Sequence, residues 1–75
     1  MANIKEKDIQ DFERYANKIN EVIKRILKYN TNVNVYLAME DLCLLNGESH
    51  DEYGNKQPEN VVTSVAITNA SGGDW

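Results

Sequence analysis

The chain has 75 residues, a net charge of −4, one cysteine and one histidine. A protein this short forms a single domain near the lower size limit for a self-sufficient core, and such proteins rely on disulfides, metals or oligomerisation. The single Cys43 excludes a disulfide within one chain, and a structural zinc site needs more ligands than Cys43 and His50 supply. We therefore expect no metal and no cofactor, and oligomerisation remains as the source of stability.

Charge is divided unevenly along the chain. Residues 1–30 carry seven basic and five acidic side chains, a sum of +2, whereas residues 31–75 carry one basic and seven acidic side chains, a sum of −6. Basic residues do not dominate, which argues against binding of duplex nucleic acid. No apolar run is long enough to span a membrane, and no secretory signal pattern opens the sequence, so we expect a cytoplasmic protein without a membrane partner.

The first predicted element is a long amphipathic helix over about residues 3–30. Asn3 and Glu6 match a capping-box pattern at its start, and the asparagines at 30 and 32 end it. Its apolar residues alternate between spacings of three and four, which is the pattern of one apolar helix face. These residues are Ile9, Phe12, Ala16, Ile19, Ile23 and Ile26.

This apolar stripe is wider than the seam of a two-stranded coiled coil, because Tyr15, Val22 and Leu27 flank it. The width favours a helix that packs on a sheet or in a multi-helix bundle. A helix of this kind is not stable alone in water, so its apolar face must be covered. We predict that it forms the interface of a homo-oligomer through Ile9, Phe12, Ile19, Ile23 and Ile26.

Two strands are predicted after the helix, over about residues 33–45 and 61–68. Apolar residues alternate with polar ones from Val33, but the phase slips before Leu42, and a β-bulge near Glu40–Asp41 would absorb the slip. A competing interpretation makes residues 36–45 a short helix, because they include good helix formers. Cys43 lies among leucines and is expected to be a small buried hydrophobe.

The predicted fold class is therefore α+β, with a long N-terminal helix followed by a two-stranded antiparallel hairpin. A lone hairpin is marginally stable, which again indicates a homo-oligomer. Residues 46–60 form a polar loop long enough to have a function, and residues 69–75 form a glycine-rich tail that ends in tryptophan. The whole chain is interpreted as one small domain.

The loop holds Ser49, His50 and Asp51, which suggests testing for a hydrolase. Adjacent residues on one short segment rarely converge on one reacting atom, and no nucleophile elbow surrounds Ser49. We therefore expect no enzyme, and a small hydrolase that uses His50 is the rival hypothesis. The alternative roles are structural, with the serine and the aspartate in turns.

The tail contains Ser71, Gly72, Gly73, Asp74 and Trp75. Glycines allow main-chain N–H groups to converge on an anion, and a tryptophan can stack on a ring or dock as a structural anchor. In a simple hairpin the loop and the tail lie at opposite ends of the sheet. The pattern therefore predicts that they meet only across a subunit interface.

Together these features favour a non-enzymatic homo-oligomer that sequesters a small nucleotide-like anion, such as a signalling nucleotide, in pockets between subunits. A ring would stack on Tyr53 or Trp75, and phosphate would meet glycine amides and a cation. The predicted ligand-binding residues are Arg25, Ser49, His50, Asp51, Tyr53, Lys56, Ser71, Gly72, Gly73, Asp74 and Trp75. The alternative is an acidic inhibitor or adaptor that binds a host protein. The size and acidity are typical of proteins from phages and other mobile elements.

Overall fold

A computed structural model describes residues 3–73 as one helix followed by a three-stranded antiparallel sheet in the order β1-β2-β3. Its elements are α1 (Glu6–Leu27), β1 (Val33–Ala38), β2 (Asp41–Asn46), a short 3-10 helix (Pro58–Asn60) and β3 (Val61–Ala66). The α+β fold class is confirmed. The predicted two-stranded hairpin is wrong, because the sheet has a third strand, and the homo-oligomer stays a prediction.

The segment predicted as one long strand, residues 33–45, is two strands joined by a tight turn at Met39 and Glu40. Ala38 pairs with Asp41 across this turn, so the slip in apolar phase marks a chain reversal. The predicted bulge at this point is wrong, and so is the competing helix over residues 36–45. Met39 has a φ of 56°, a left-handed conformation that non-glycine residues seldom adopt and that neither interpretation predicts.

The helix is shorter than predicted at both ends. Lys5 is the residue that precedes it, with no side-chain cap, so the capping box predicted for Asn3 and Glu6 does not form. At the other end the N–H groups of Tyr29 and Asn30 both donate to Ile26 O, at 2.9 and 2.8 Å. Within residues 3–73, no helix combines the length and the apolar character needed to cross a membrane.

The two faces of the sheet are covered by different parts of the chain. Side chains alternate along each strand, and the pairing of β1 with β2 places Tyr36 opposite Cys43 on one face and Val35 opposite Leu44 on the other. We call the first the loop-side face and the second the helix-side face. The buried residues Ala38, Cys43 and Leu45 lie on the loop-side face, with Tyr36 and Val61 packed against them. The expected burial of Cys43 is confirmed.

The helix-side face is only partly covered. A groove of about 340 Å³ lies between α1 and the sheet. It is lined by Ile19, Val22 and Ile23 from the helix, by Val35, Leu42, Cys43, Leu44, Thr63 and Val65 from the sheet, and by Ile67 just after β3. No residue of α1 is buried. A 22-residue helix is about 33 Å long and a six-residue strand about 20 Å. The helix therefore exceeds the strands in length, and none of its residues before Ile19 lines the groove.

Candidate ligand-binding site

The polar loop folds into a small hairpin of its own around Asp51. The main-chain N–H of Asp51 donates to Asn55 O at 2.8 Å, and that of Gly54 donates to Asp51 O at 3.0 Å. The carboxylate of Asp51 accepts the N–H groups of Tyr53 and Asn55, both at 2.9 Å. It also accepts the side-chain amides of Asn55 and Gln57, at 3.2 and 3.4 Å. Asp51 therefore organises the loop from within.

These contacts lower the pKa of Asp51 below its ordinary value of 3.8. The largest cause is the hydrogen bond from the main chain of Asn55, which favours the ionised carboxylate, and desolvation opposes the shift. The side-chain amide of Asn55 and the main chain of Tyr53 add to the lowering, as does the nearby His50. Because four donors already bind the carboxylate, a ligand contact through Asp51 would compete with the loop's own hydrogen bonds.

The small hairpin places His50 over the loop-side face of the sheet. His50 and Lys56 form an antiparallel bridge, and the N–H of Gln57 donates to Ser49 O at 2.8 Å. The imidazole Nδ1 lies 3.1 Å from Ser49 Oγ. Its ring meets the ring of Tyr36 edge to face, with centroids 5.6 Å apart and an interplanar angle of 75°. The loop therefore brings an imidazole and a hydroxyl together beside an aromatic ring, and Lys56 is paired with His50 through the main chain.

The tail returns to the sheet at the edge of β1. After β3, the N–H of Ile67 donates to Glu40 O at 2.8 Å, so the chain passes the turn between β1 and β2. Gly73 then forms a parallel bridge with Ala38, in which its N–H donates to Leu37 O at 3.1 Å and its carbonyl accepts the N–H of Met39 at 2.9 Å. The hydrogen bond to Leu37 O therefore already uses the N–H of Gly73, which was predicted from the sequence to bind an anion.

Gly72 is required by its close approach to the main chain of β1, and Gly73 lies close to the side chain of Tyr36. A β-carbon at position 72 would lie 2.4 Å from Leu37 O and 2.9 Å from Met39 O, which are main-chain atoms that cannot move away independently. A β-carbon on Gly73 would lie 2.6 Å from the hydroxyl oxygen of Tyr36. The absence of side chains therefore lets the tail lie against its own strand and against the Tyr36 hydroxyl.

Tyr36 thus connects the loop with the tail inside a single chain, since His50 contacts its ring and Gly73 approaches its hydroxyl. The prediction that loop and tail meet only across a subunit interface is wrong. It assumed that the loop stays at the end of the sheet where it begins, whereas the loop folds back over the sheet. We call Tyr36, Ser49, His50, Lys56 and Gly73 the Tyr36 site.

The remaining predicted residues lie elsewhere or only nearby. Tyr53 is at the tip of the loop, 81% exposed, and Arg25 is exposed in the last turn of α1, a helix that lines the opposite face of the sheet. Ser71 and Gly72 precede Gly73 in the tail. Asp74 and Trp75, predicted to bind the ligand, are outside the described residues. Sequence reasoning missed Tyr36, which alternation had placed on the polar side of its strand.

The geometry around His50 gives limited support to the hydrolase hypothesis. Ser49 Oγ is within hydrogen-bonding distance of the imidazole, but the two residues are neighbours in the chain. Asp51 accepts hydrogen bonds from the loop, whereas a triad needs an acid that orients the imidazole. In the part of the chain described, no three His, Cys, Asp or Glu side chains cluster closely enough to hold a metal ion.

No protein-family model matches the chain, and comparisons with curated proteins and with solved structures also find no match.

Proposed function

We propose that the protein is a non-enzymatic, homo-oligomeric binding protein that sequesters a small nucleotide-like anion, with pockets built from the Tyr36 site of one subunit and the basic end of α1 of another. The observation that carries this proposal is the convergence of an aromatic ring, an imidazole and an ammonium-bearing segment at Tyr36. The setting that fits it is the cytoplasm of a cell infected by a phage.

Self-association is supported by the amount of surface that one chain exposes. The chain exposes 6222 Å², whereas a monomeric globular protein of 8.5 kDa is expected to expose about 4,650 Å². The surplus is roughly 1,600 Å² per chain, and a standard interface buries about 800 Å² per partner. Part of the surplus is apolar, since Ile4, just before α1, and Phe12, on α1, are 73% and 76% exposed. Burial of such a stripe against a second copy would stabilise both chains.

The chemistry of the Tyr36 site suits a ligand that combines a ring with negative charge. Tyr36 and His50 present aromatic edges, and Tyr53 offers an exposed ring at the loop tip for stacking. Lys56, bridged to His50, supplies the positive charge that a phosphate needs. The Ser49 hydroxyl beside the imidazole can exchange hydrogen bonds with polar ring edges.

The negative charge of the loop supports the proposal that a second subunit contributes positive charge to the site. Glu48, Glu52 and Glu59 are close in sequence to the loop residues of the site, and all three are exposed. Several negative charges therefore oppose the single positive charge of Lys56. The nearest strongly basic segment of the chain is the end of α1, with Lys24, Arg25 and Lys28. The sheet separates that helix from the Tyr36 site of its own chain. Arg25 can therefore add positive charge at this site from a neighbouring subunit.

Calorimetry against mono-, di- and cyclic nucleotides tests the proposal. We expect saturable heat with at least one of them, and a loss of affinity of about 10-fold or more in Lys56→Ala, because a hydrogen bond to a charged group contributes about 1.5–3 kcal/mol. Lys5→Ala is the matched control, since it removes the same charge from the residue that precedes α1 and should bind as the unchanged protein does. Absence of heat with every nucleotide would refute the proposal.

A second candidate function is an acidic inhibitor or adaptor that binds a host protein. The exposure of Glu48, Glu52 and Glu59 favours it, because these carboxylates form an accessible acidic surface. Pull-down from a bacterial lysate at low and high salt separates the two functions. Capture that disappears at high salt and on neutralisation of these glutamates, without any nucleotide binding, would support the inhibitor.

A further inference from the structure

The two edges of the sheet differ in how their outward-facing main-chain groups are satisfied. At the β1 edge, Leu37 O accepts the N–H of Gly73 at 3.1 Å. The N–H of Val35 donates to Oδ1 of the preceding Asn34 at 2.9 Å. The tail and an asparagine side chain therefore occupy two of the groups with which another strand would pair at this edge.

At the β3 edge the corresponding groups are open. Asp41 pairs with Ala66 at the end of the register of β2 with β3, and just beyond this pair the N–H of Ile67 donates to Glu40 O at 2.8 Å. In an antiparallel pair, hydrogen-bonded positions alternate with non-bonded ones, so Thr63 and Val65 bond β2 while Ser64 and Ala66 direct their main-chain groups outward. Among residues 3–73, no hydrogen bond reaches these outward groups of Ser64 and Ala66.

The strand also lacks most of the features that protect free edges. Proteins blunt an exposed edge with lysine, proline, inward-pointing charges, bulges or a covering segment, because an open edge pairs with other chains. The sequence of β3 contains no charged residue and no proline. Its one irregularity is the bulge opposite Leu44/Leu45, near the start of the strand, which leaves the pairing from Thr63 to Ala66 regular. All of its residues after Val61 are exposed.

We propose that β3 pairs antiparallel with β3 of a second copy, about a two-fold axis at Ser64, to give a continuous six-stranded sheet. Such an interface is isologous, so it needs a surface that is complementary to itself. In this register Ser64 faces Ser64, and Val65 of each copy lies opposite Thr63 of the other on the helix-side face, which is a favourable β-branched pair. No like charges meet. Pairing would also cover Val62 and Val65, which are 65% and 60% exposed.

A second copy of the chain is the favoured partner for the β3 edge, because each chain exposes more surface than a monomeric protein of its mass. The roughly 1,600 Å² of excess exposed area is about twice what one standard interface buries per partner. One interface through Ile9 and Phe12 of α1 would leave the rest exposed, because these two residues do not line the groove to which Thr63 and Val65 of β3 contribute. The β3 interface does not depend on a ligand. Together with the α1 interface proposed above, it gives an assembly larger than a dimer.

Native mass spectrometry of the Ser64→Pro variant tests the β3 interface. Proline removes the outward N–H of Ser64 and leaves the hydrogen bonds to β2 in place, because edge strands tolerate proline where the N–H faces outward. We expect its mass to fall to half or less of that of the unchanged protein. Ser64→Thr keeps the N–H and should retain the full mass. A Ser64→Pro variant with an unchanged circular dichroism spectrum and an unchanged mass would overturn the proposal.

Amide hydrogen exchange of the unchanged protein provides a second test that requires no variant. The Thr63 and Val65 amides bond β2 in any assembly and serve as internal references. If β3 pairs with a second copy, the amides of Ser64 and Ala66 exchange as slowly as these references. The proposal would be overturned if the amides of Ser64 and Ala66 exchanged at the rate of unprotected amides while those of Thr63 and Val65 were protected. This result would hold even if Ser64→Pro failed to fold.

Discussion

The ring of His50 meets the ring of Tyr36 edge to face, 5.6 Å between centroids. This contact joins the polar loop to the middle of β1 and holds the loop over the face that contains the buried Ala38, Cys43 and Leu45. The fold therefore has its buried residues on the face that the loop covers, while the helix covers the opposite face only partly. The candidate site and the small core share one side of the sheet.

A double-mutant cycle measures this contact. We expect Tyr36→Leu and His50→Leu to show a coupling of about 0.5–1.5 kcal/mol, the usual contribution of an aromatic pair beyond its buried area. Urea unfolding at one fixed protein concentration gives the free energies. Tyr36→Leu combined with Tyr53→Leu is the control, because the exposed Tyr53 should not couple. Equal coupling in both pairs would show that the ring contact has no special role.

Asp51 should make the stability of the loop depend on pH. Its pKa is lower in the folded protein than its ordinary value of 3.8, so its contribution is complete above that value and is lost as the pH falls through the folded pKa. We expect Asp51→Asn to be less stable than the unchanged protein at pH 7, and the difference to shrink below about pH 4. Thermal unfolding of both proteins from pH 7 to pH 3 measures it. A difference that does not change with pH would contradict the prediction.

Gly72 should tolerate no side chain. In Gly72→Ala the β-carbon would lie 2.4 Å from Leu37 O, so the tail must move and its hydrogen bonds to β1 must weaken. We expect a loss of about 1–3 kcal/mol in the free energy of unfolding, as for other overpacked sites. Ser71→Ala is the control, because Ser71 already carries a β-carbon. The prediction fails if both variants unfold at the same urea concentration.

Replacement of Met39 by glycine should stabilise the protein. It occupies the first position of the two-residue turn with a φ of 56°, where glycine is the usual residue of a type II′ turn. We expect Met39→Gly to stabilise the protein by about 1 kcal/mol, since left-handed backbone costs L-residues roughly that much. Met39→Ala keeps the strain and should give no such gain. Equal stability of the two variants would indicate that backbone strain is not the cause.

The helix could be predicted from the sequence because the apolar residues from Ile9 to Ile26 repeat at helical spacing over about five turns. The turn at Met39 and Glu40 could not, because it lacks the glycine, asparagine or proline that usually marks a tight hairpin. Alternation along β1 shows that Tyr36 and Val35 face opposite ways, but it does not show which face a distant loop will cover. Gly72 was predicted to contact a ligand, and the group that lies close to it within the chain is the main chain of β1.

The proposed oligomer depends on the prediction that a second copy covers the apolar stripe of α1. Phe12 is 76% exposed in a single chain, and we expect a second copy to cover it. Phe12→Glu should therefore reduce the mass of the assembly while the circular dichroism of the monomer is retained, because a charge would be buried in the interface. Glu13→Gln, at the neighbouring helix position, is the control and should assemble normally.

Native mass spectrometry of the unchanged protein at micromolar concentration tests most directly whether the protein is an oligomer. We predict a mass that is a multiple of the 8.5 kDa chain, and a smaller assembly for Phe12→Glu. A single 8.5 kDa species for the unchanged protein, folded by circular dichroism, would contradict the oligomer and with it the pocket between subunits.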